Sequence, residues 1–179
     1  MLELTVILEP EYYDERNEMF IPPKSTTIQL EHSLVSLSKW ESKWCKPFLH
    51  SDKTDEETLD YIKCMTLTDG VSPKVYDHLS RRNVREITDY INAPMTATTF
   101  SNENSKRSRD IVTSEVMYYW MIANNIPFEC QHWHLNRLIT LVRVCGVHNQ
   151  PQKKRSKKEI ASQYAALNAQ RRAKFKSKG

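Results

Sequence analysis

Glycine is scarce in this chain. Only three of the 179 residues are glycine, at positions 70, 146 and 179. A P-loop or a dinucleotide-binding turn needs several closely spaced glycines, because backbone N–H groups must approach the phosphates. The sequence therefore excludes both motifs and, with them, most nucleotide-dependent enzymes. We expect the protein to use no cofactor.

Long hydrophobic runs and paired cysteines are also missing. The longest uninterrupted apolar run, Val116 to Ala123, is far too short to cross a bilayer. The four cysteines are widely spaced, and the N-terminal segment has an early acid but no basic stretch of the kind that opens a secretory signal. We therefore expect no membrane partner, and reduced cysteines that mostly fill the core of a cytosolic protein.

Charge is divided between two parts of the chain. Residues 152–179 contain ten Lys or Arg and one acid, a net charge of +9, whereas residues 1–151 contain 16 basic and 21 acidic side chains, a net charge of −5. A mildly acidic body with a strongly basic extension is typical of a protein that holds a partner. The residues alone predict a helical binding protein with a cationic arm.

The pattern of apolar residues predicts a mainly α-helical fold. Leu2–Leu8 and Thr26–Glu31 are rich in apolar and β-branched residues and predict an antiparallel strand pair joined by a polar loop. From Ser33 the apolar period becomes helical. The expected divisions are a strand pair at 1–32 packed on the body, a helical core domain at 33–150, and a linker with a basic amphipathic C-terminal helix at 151–179.

Several helix boundaries have clear signals. Thr54-Asp-Glu-Glu57 has the form of a capping box, and Ser72-Pro73 is an N-cap followed by proline. Asn83 to Ala93 places Val84, Ile87, Tyr90 and Ile91 on one stripe, which predicts another helix.

Two apolar helices are predicted near the end of the body. Asp110 to Asn124 is apolar on most sides, which is typical of the buried centre of a domain. A further helix is predicted at roughly Glu129 to Cys145, with Gly146 as the residue that ends it. We expect these two helices to form an antiparallel pair, after a polar loop at 101–109.

Local patterns that could carry chemistry have simpler explanations. Cys130 and His134 are four residues apart and could place two zinc ligands on one helix face, but no Cys-x-x-Cys pair supplies the other two. The acids at 55–57 suit the first turn of a helix, and His32-Ser33 has no recognisable third partner. We therefore predict no metal, no catalytic residue and no enzymatic activity.

Trp40 and Trp44 form the main aromatic pair of the predicted core. They lie four residues apart beside Lys39 and Lys43, so an exposed aromatic binding face is one interpretation. We favour the other interpretation, in which both rings are buried and the lysine stems cover them, because large aromatic side chains are mostly buried.

The C-terminal arm is the best candidate for partner binding. Apolar residues recur there at helical spacing among cationic residues, so the helix can lay an apolar stripe in a partner's groove. The alternative is a solvated tail with no specific partner. The candidate partner-binding residues are Ile160, Tyr164, Leu167, Arg171, Arg172, Lys174 and Phe175.

Three segments of the chain carry a family resemblance: Leu30–Trp44, Asp60–Leu67 and Ile126–Arg137. With these strings the chain resembles the tail assembly chaperones of long, non-contractile-tailed bacteriophages, and the likeness covers most of its length. The resemblance implies a non-enzymatic protein that coats the tape measure protein and keeps it soluble until tube subunits replace the chaperone. It also implies a place in the host cytoplasm, absence from the mature virion, and self-association or contact with a frameshifted longer form.

Two other functions stay open. The arm carries enough positive charge for several phosphate contacts with nucleic acid. Its only aromatic residues are Tyr164 and Phe175, and no recognition motif precedes it, so we do not expect nucleic acid to be the partner. The chain is alternatively a minor structural tail protein, which would be present in purified particles.

Overall fold

The structure is a computed structural model that describes residues 1–100, 111–149 and 157–175. The loop predicted at 101–109 and the linker predicted from residue 151, ahead of the C-terminal helix, lie outside the described residues. Contacts within the chain divide it into two compact units, Met1–Gly146 and Val147–Gly179.

The described residues are mainly α-helical, as predicted. The strands are β1 (Leu2–Glu9), β2 (Tyr12–Asp14), β3 (Met19–Ile21) and β4 (Lys24–Leu30). The helices are α1 (Leu34–Trp44), α2 (Asp55–Met65), α3 (Lys74–Asp77), α4 (Arg81–Asn92), α5 (Ser114–Ala123), a 3-10 helix (Phe128–His132), α6 (Leu135–Asn149) and α7 (Lys157–Phe175).

Strands β1 and β4 form the predicted antiparallel pair. Leu2 is opposite Leu30 and Val6 is opposite Thr26, so alternate residues point to the same side of the sheet. That side packs on the helices and buries Leu4, Val6, Ile28 and Leu30 completely. The chain after α2 lies along the free edge of β4, where the Leu67 N–H donates to the Gln29 carbonyl at 2.8 Å. The small sheet is thus covered on one face and along one edge.

The segment between these strands is a second hairpin and not the polar loop that we predicted. Strands β2 and β3 pair with Tyr13 opposite Phe20, and the two rings lie 5.0 Å apart. The Asp14 carboxylate accepts from the Arg16 N–H at 3.0 Å and so stabilises the turn. Residues 11–21 are called the ribbon below.

Helix α1 occupies the centre of the first unit. The Ser33 and Ser36 side chains form a capping box at its start. Leu34, Leu37 and Trp40 are completely buried, and the helix packs on α2, α5 and the 3-10 helix. We predicted that central position for α5, and that prediction is wrong.

The buried Glu41 connects α1 to two distant segments. One carboxylate oxygen accepts from the Phe48 N–H at 2.7 Å. The other accepts from the Ser114 N–H, also at 2.7 Å, at the first residue of α5. The negative side chain therefore lies at the positive end of the α5 dipole and supplies a partner for an amide that the helix leaves unpaired.

The end of the first unit also differs from the prediction. The region expected to be one helix from Glu129 to Cys145 is a 3-10 helix followed by α6, which begins at Leu135. Gly146 lies inside α6 and does not end it. Helix α5 packs mainly on α1, so the expected close antiparallel pair with α6 is also wrong.

Candidate functional site

Helix α7 presents an apolar and cationic face. Successive residues of an α-helix are rotated by about 100°, so Tyr164, Leu167, Arg171, Lys174 and Phe175 lie on one side. All five are exposed, and Tyr164 and Phe175 have 64% and 72% of their surface accessible. Arg172 is exposed on a neighbouring side, whereas the Ile160 side chain lies outside the described residues.

Helix α5 has a buried face and an uncovered apolar face. Ser114, Met117 and Met121 point into the core. On the other side Tyr119 and Ile122 are 65% and 61% exposed. Phe128, itself 53% exposed, contacts Tyr118 beside them, with ring centroids 6.4 Å apart. We call Tyr118, Tyr119, Ile122 and Phe128 the α5 face.

The ribbon is a third exposed surface, and sequence reasoning missed it. Four of its large apolar side chains are exposed, from 48% for Tyr13 to 69% for Phe20, and Ile21 is half-buried. Acidic residues surround these side chains, so the average hydropathy of the segment is that of a charged loop. The signal that could have found the hairpin is Tyr12-Tyr13 and Met19-Phe20-Ile21 on either side of a polar turn.

A groove of about 380 Å³ lies where α4 and the residues just before it pack near the outer face of β1. Arg82 and Glu86 on its wall pair with each other at 2.9 Å. Asn83 is held by its side-chain amide, which donates to the Thr5 carbonyl at 3.0 Å. Because Arg82 is paired with Glu86 and Glu3 adds a second acid to the lining, the groove does not favour an anionic ligand. Its lining residues are Glu3, Thr5, Ile7, His78, Ser80, Arg82, Asn83 and Glu86.

A buried cluster of histidine and tyrosine side chains joins four parts of the fold. His32 Nδ1 lies 2.6 Å from the Tyr61 hydroxyl oxygen, and the His32 and His134 rings are 5.0 Å apart. His134 Nε2 donates to the Tyr90 carbonyl at 2.9 Å, and the Leu135 N–H donates to the His32 carbonyl at 2.8 Å. The cluster thereby ties the β4–α1 junction to α2, α4 and the start of α6.

Burial controls the protonation of this cluster. Loss of hydration, with a smaller repulsion from His134, lowers the pKa of His32 to about 3. Burial likewise lowers the pKa of His134 and raises the pKa of Tyr61. His32 and Tyr61 are only 2% and 3% exposed, so a substrate has no direct access to them. The arrangement suits a neutral hydrogen-bonded support better than acid–base catalysis.

The residues considered as zinc ligands do not share a helix. Cys130 is in the 3-10 helix, and His134 follows that helix and is bonded to the Tyr90 carbonyl. The i, i+4 geometry expected for a single helix is therefore wrong. Within residues 1–100, 111–149 and 157–175, no group of three or more His, Cys, Asp or Glu side chains is placed to hold a metal ion.

The tryptophan pair belongs to the core, as we predicted. Trp40 is completely buried, and its Nε1–H donates to the Glu57 carbonyl at 2.8 Å. Trp44 is half-buried and donates to an Asp60 carboxylate oxygen at 2.9 Å. Lys43 lies 5.7 Å from the centre of the Trp44 ring, so a lysine does cover this ring. Asp60 also pairs with Lys43. Burial alone would raise the pKa of Asp60, but the hydrogen bonds from Lys43 and Trp44 outweigh it and lower that pKa.

Three exposed surfaces therefore remain as candidates for binding, namely the α5 face, the ribbon and the α7 face. In the part of the chain that the structure describes, every helix is too short or too polar to span a bilayer.

Comparison with protein families, curated proteins and solved structures finds no match for the chain.

Proposed function

We propose that the chain is a non-enzymatic phage tail assembly chaperone that binds the tape measure protein and keeps it soluble during tail assembly. The proposal combines the family resemblance of the sequence with the exposed apolar surfaces of the fold. A tape measure protein is a long chain with apolar stripes, and such stripes associate when they are left uncovered. The chaperone acts in the host cytoplasm and is left behind when the tail is complete.

The observation that carries this proposal is the uncovered side of α5. A helix that is apolar all round is normally buried on every side, and this one is covered on only one. Tyr119 and Ile122 lie one turn apart on the outer side, so they match the spacing of apolar residues along a partner helix. We infer that the α5 face packs on an apolar stripe of the cargo.

The arm is the second proposed contact with the cargo. Its apolar and cationic face complements a cargo stripe that carries acids beside its apolar residues. Each contact made by one copy is small, so many copies must act together along the cargo.

Co-expression with the tape measure protein of the same phage tests the function. The full chain should increase the soluble fraction of the tape measure severalfold over an empty vector. Tyr119→Glu with Ile122→Glu should abolish the gain, because two charges would then face an apolar stripe. The matched control is Leu67→Glu with Val84→Glu, at two other exposed apolar positions, and it should behave like the unaltered chain.

Each result of this experiment has one interpretation. A tape measure that stays insoluble with the full chain contradicts the chaperone function itself. Full solubility with the Tyr119 and Ile122 variant removes the α5 face from the mechanism and leaves the function standing. Reversing Arg171, Arg172 and Lys174 to Glu measures the contribution of the arm in the same assay.

Nucleic-acid binding is the second candidate function. It is favoured by the +9 net charge of residues 152–179 and by the exposure of Arg171, Arg172 and Lys174. Phosphate contacts of this kind weaken steeply as salt increases. Titration of the full chain with DNA and RNA over a salt series tests nucleic-acid binding. No affinity at low salt would exclude this function.

A further inference from the structure

The ribbon combines exposed apolar side chains with negative charge. Residues 11–21 contain four acids and one arginine, a net charge of −3. Glu11, Glu15 and Glu18 are exposed around the apolar side chains. Tyr12 is 55% exposed and Phe20 is 69% exposed. Tyr12 is paired with Ile21 and Phe20 with the adjacent Tyr13, so the Tyr12 and Phe20 side chains point to opposite sides of the hairpin. A two-stranded hairpin with both sides uncovered is marginal alone, so it gains stability when a partner packs on it.

Helix α7 has the complementary chemistry. Residues 157–175 contain five basic side chains and one acid, a net charge of +4. Their exposed face carries Tyr164, Leu167 and Phe175 among Arg171 and Lys174. The distance along the helix from Tyr164 to Phe175 is about 17 Å at 1.5 Å per residue. Each three-residue strand of the ribbon extends over about 10 Å at 3.3 Å per residue, so the ribbon can cover somewhat more than half of this face.

We propose that the ribbon of one copy binds α7 of a second copy. The charges on the two surfaces have opposite sign and nearly equal size, and both surfaces supply aromatic side chains for an apolar centre. The contact joins different surfaces of the two copies, so it is heterologous, and each new copy presents a free ribbon or a free helix for the next. The result is a head-to-tail row of copies, in which an arm bound to a neighbour's ribbon is not available to the cargo and the α5 face makes the cargo contact.

Sedimentation velocity of the full chain without cargo tests this contact. The apparent size should increase with protein concentration at about 0.05 M salt. The apparent dissociation constant should rise by about tenfold or more at about 0.5 M salt, because salt screens exposed charges. A monomer at every concentration and at low salt overturns the proposal.

Two charge-reversal variants identify the surfaces. The first reverses the ribbon (Glu11→Lys, Glu15→Lys and Glu18→Lys), and the second reverses the arm (Arg171→Glu, Arg172→Glu and Lys174→Glu). Each variant alone should stay monomeric, because its ribbon and its α7 then carry the same sign: +3 and +4 in the first variant, −3 and −2 in the second. An equal mixture of the two should associate again, since each reversed surface meets its opposite on the other variant. A mixture that stays monomeric overturns the proposal.

A matched control separates this contact from general attraction between charged chains. Asp69→Lys with Asp77→Lys and Asp89→Lys changes the net charge by the same amount at exposed acids outside the ribbon. This control should self-associate like the unaltered chain, because its ribbon and its α7 are both unchanged. Loss of self-association in the control contradicts the assignment to the ribbon. The experiment contains no tape measure protein, so its outcome is independent of the proposed function.

Discussion

The buried His32 side chain makes the stability of the fold depend on pH. Its pKa is lowered to about 3 in the folded chain, whereas a histidine in an unfolded chain titrates near its ordinary value of 6.5. Below pH 6.5 the unfolded chain therefore takes up a proton that the folded chain does not, and acid favours unfolding. The stabilisation is fully present above pH 6.5 and is lost as the pH falls toward 3.

We predict that His32→Asn reduces this dependence. Asparagine keeps a polar atom near Nδ1 for the Tyr61 hydroxyl but has no proton to gain. Between pH 6 and pH 4 the free energy of unfolding of the unaltered chain should fall more steeply than that of the variant, by about 1.4 kcal/mol per pH unit. Urea denaturation over this pH range measures the difference. His50→Asn, at an exposed histidine, is the matched control and should retain the steeper slope.

Equal slopes for the unaltered chain and His32→Asn would contradict the lowered pKa of His32. Carboxylates with lowered pKa values, such as Asp60, also contribute to acid unfolding. Their contribution is present in all three chains and cancels when the slopes are compared.

At single residues, sequence reasoning succeeds where the cause is local. The Thr54–Glu57 capping box forms as predicted, because its two hydrogen bonds join residues three positions apart. Sequence reasoning fails where the hydrogen-bond partner is distant along the chain. His134 is bonded to the Tyr90 carbonyl, 44 positions away, and no nearby residue indicates that this bond interrupts the predicted helix.

At the scale of an element, the two faces of α5 should respond differently to truncation. Met121 is completely buried, so Met121→Ala should lower the free energy of unfolding by about 2–5 kcal/mol, since it leaves a cavity. Ile122 is 61% exposed, so Ile122→Ala should change it by less than about 0.5 kcal/mol. Urea denaturation of the two variants at pH 7 measures both values. A large loss for Ile122→Ala would show that the outer face is already covered in solution.

The same helix shows why an element's type is easier to predict than its surroundings. The composition of 110–124 correctly predicts an apolar helix, but which side is covered depends on where α1 lies. The ribbon shows the converse, because its acids outweigh a short alternation of apolar residues in the three-residue strands β2 and β3. The α5 face could therefore be located only once the fold was known, and the short apolar signal of the ribbon was concealed by its acids, whereas the charge of the arm is visible in the sequence itself.

At the scale of the whole molecule, the division of charge suits the proposed action in many copies. In that proposal the acidic ribbon and the basic arm link one copy to the next, and each linked copy adds one more α5 face to the same row. Binding to a long cargo then becomes multivalent, since each contact raises the effective concentration of the next.

A chaperone of this kind should bind in proportion to the length of its cargo. We predict that halving the tape measure protein roughly halves the number of bound copies, because each copy covers a fixed length of apolar stripe. Light scattering of the purified complexes gives that number directly. The ribbon variant with Glu11, Glu15 and Glu18 reversed should reach the same number of copies only at higher protein concentration, because it lacks contacts between neighbours and retains the α5 face. A number of copies that does not change with cargo length would instead indicate one specific docking site and would contradict the coating model.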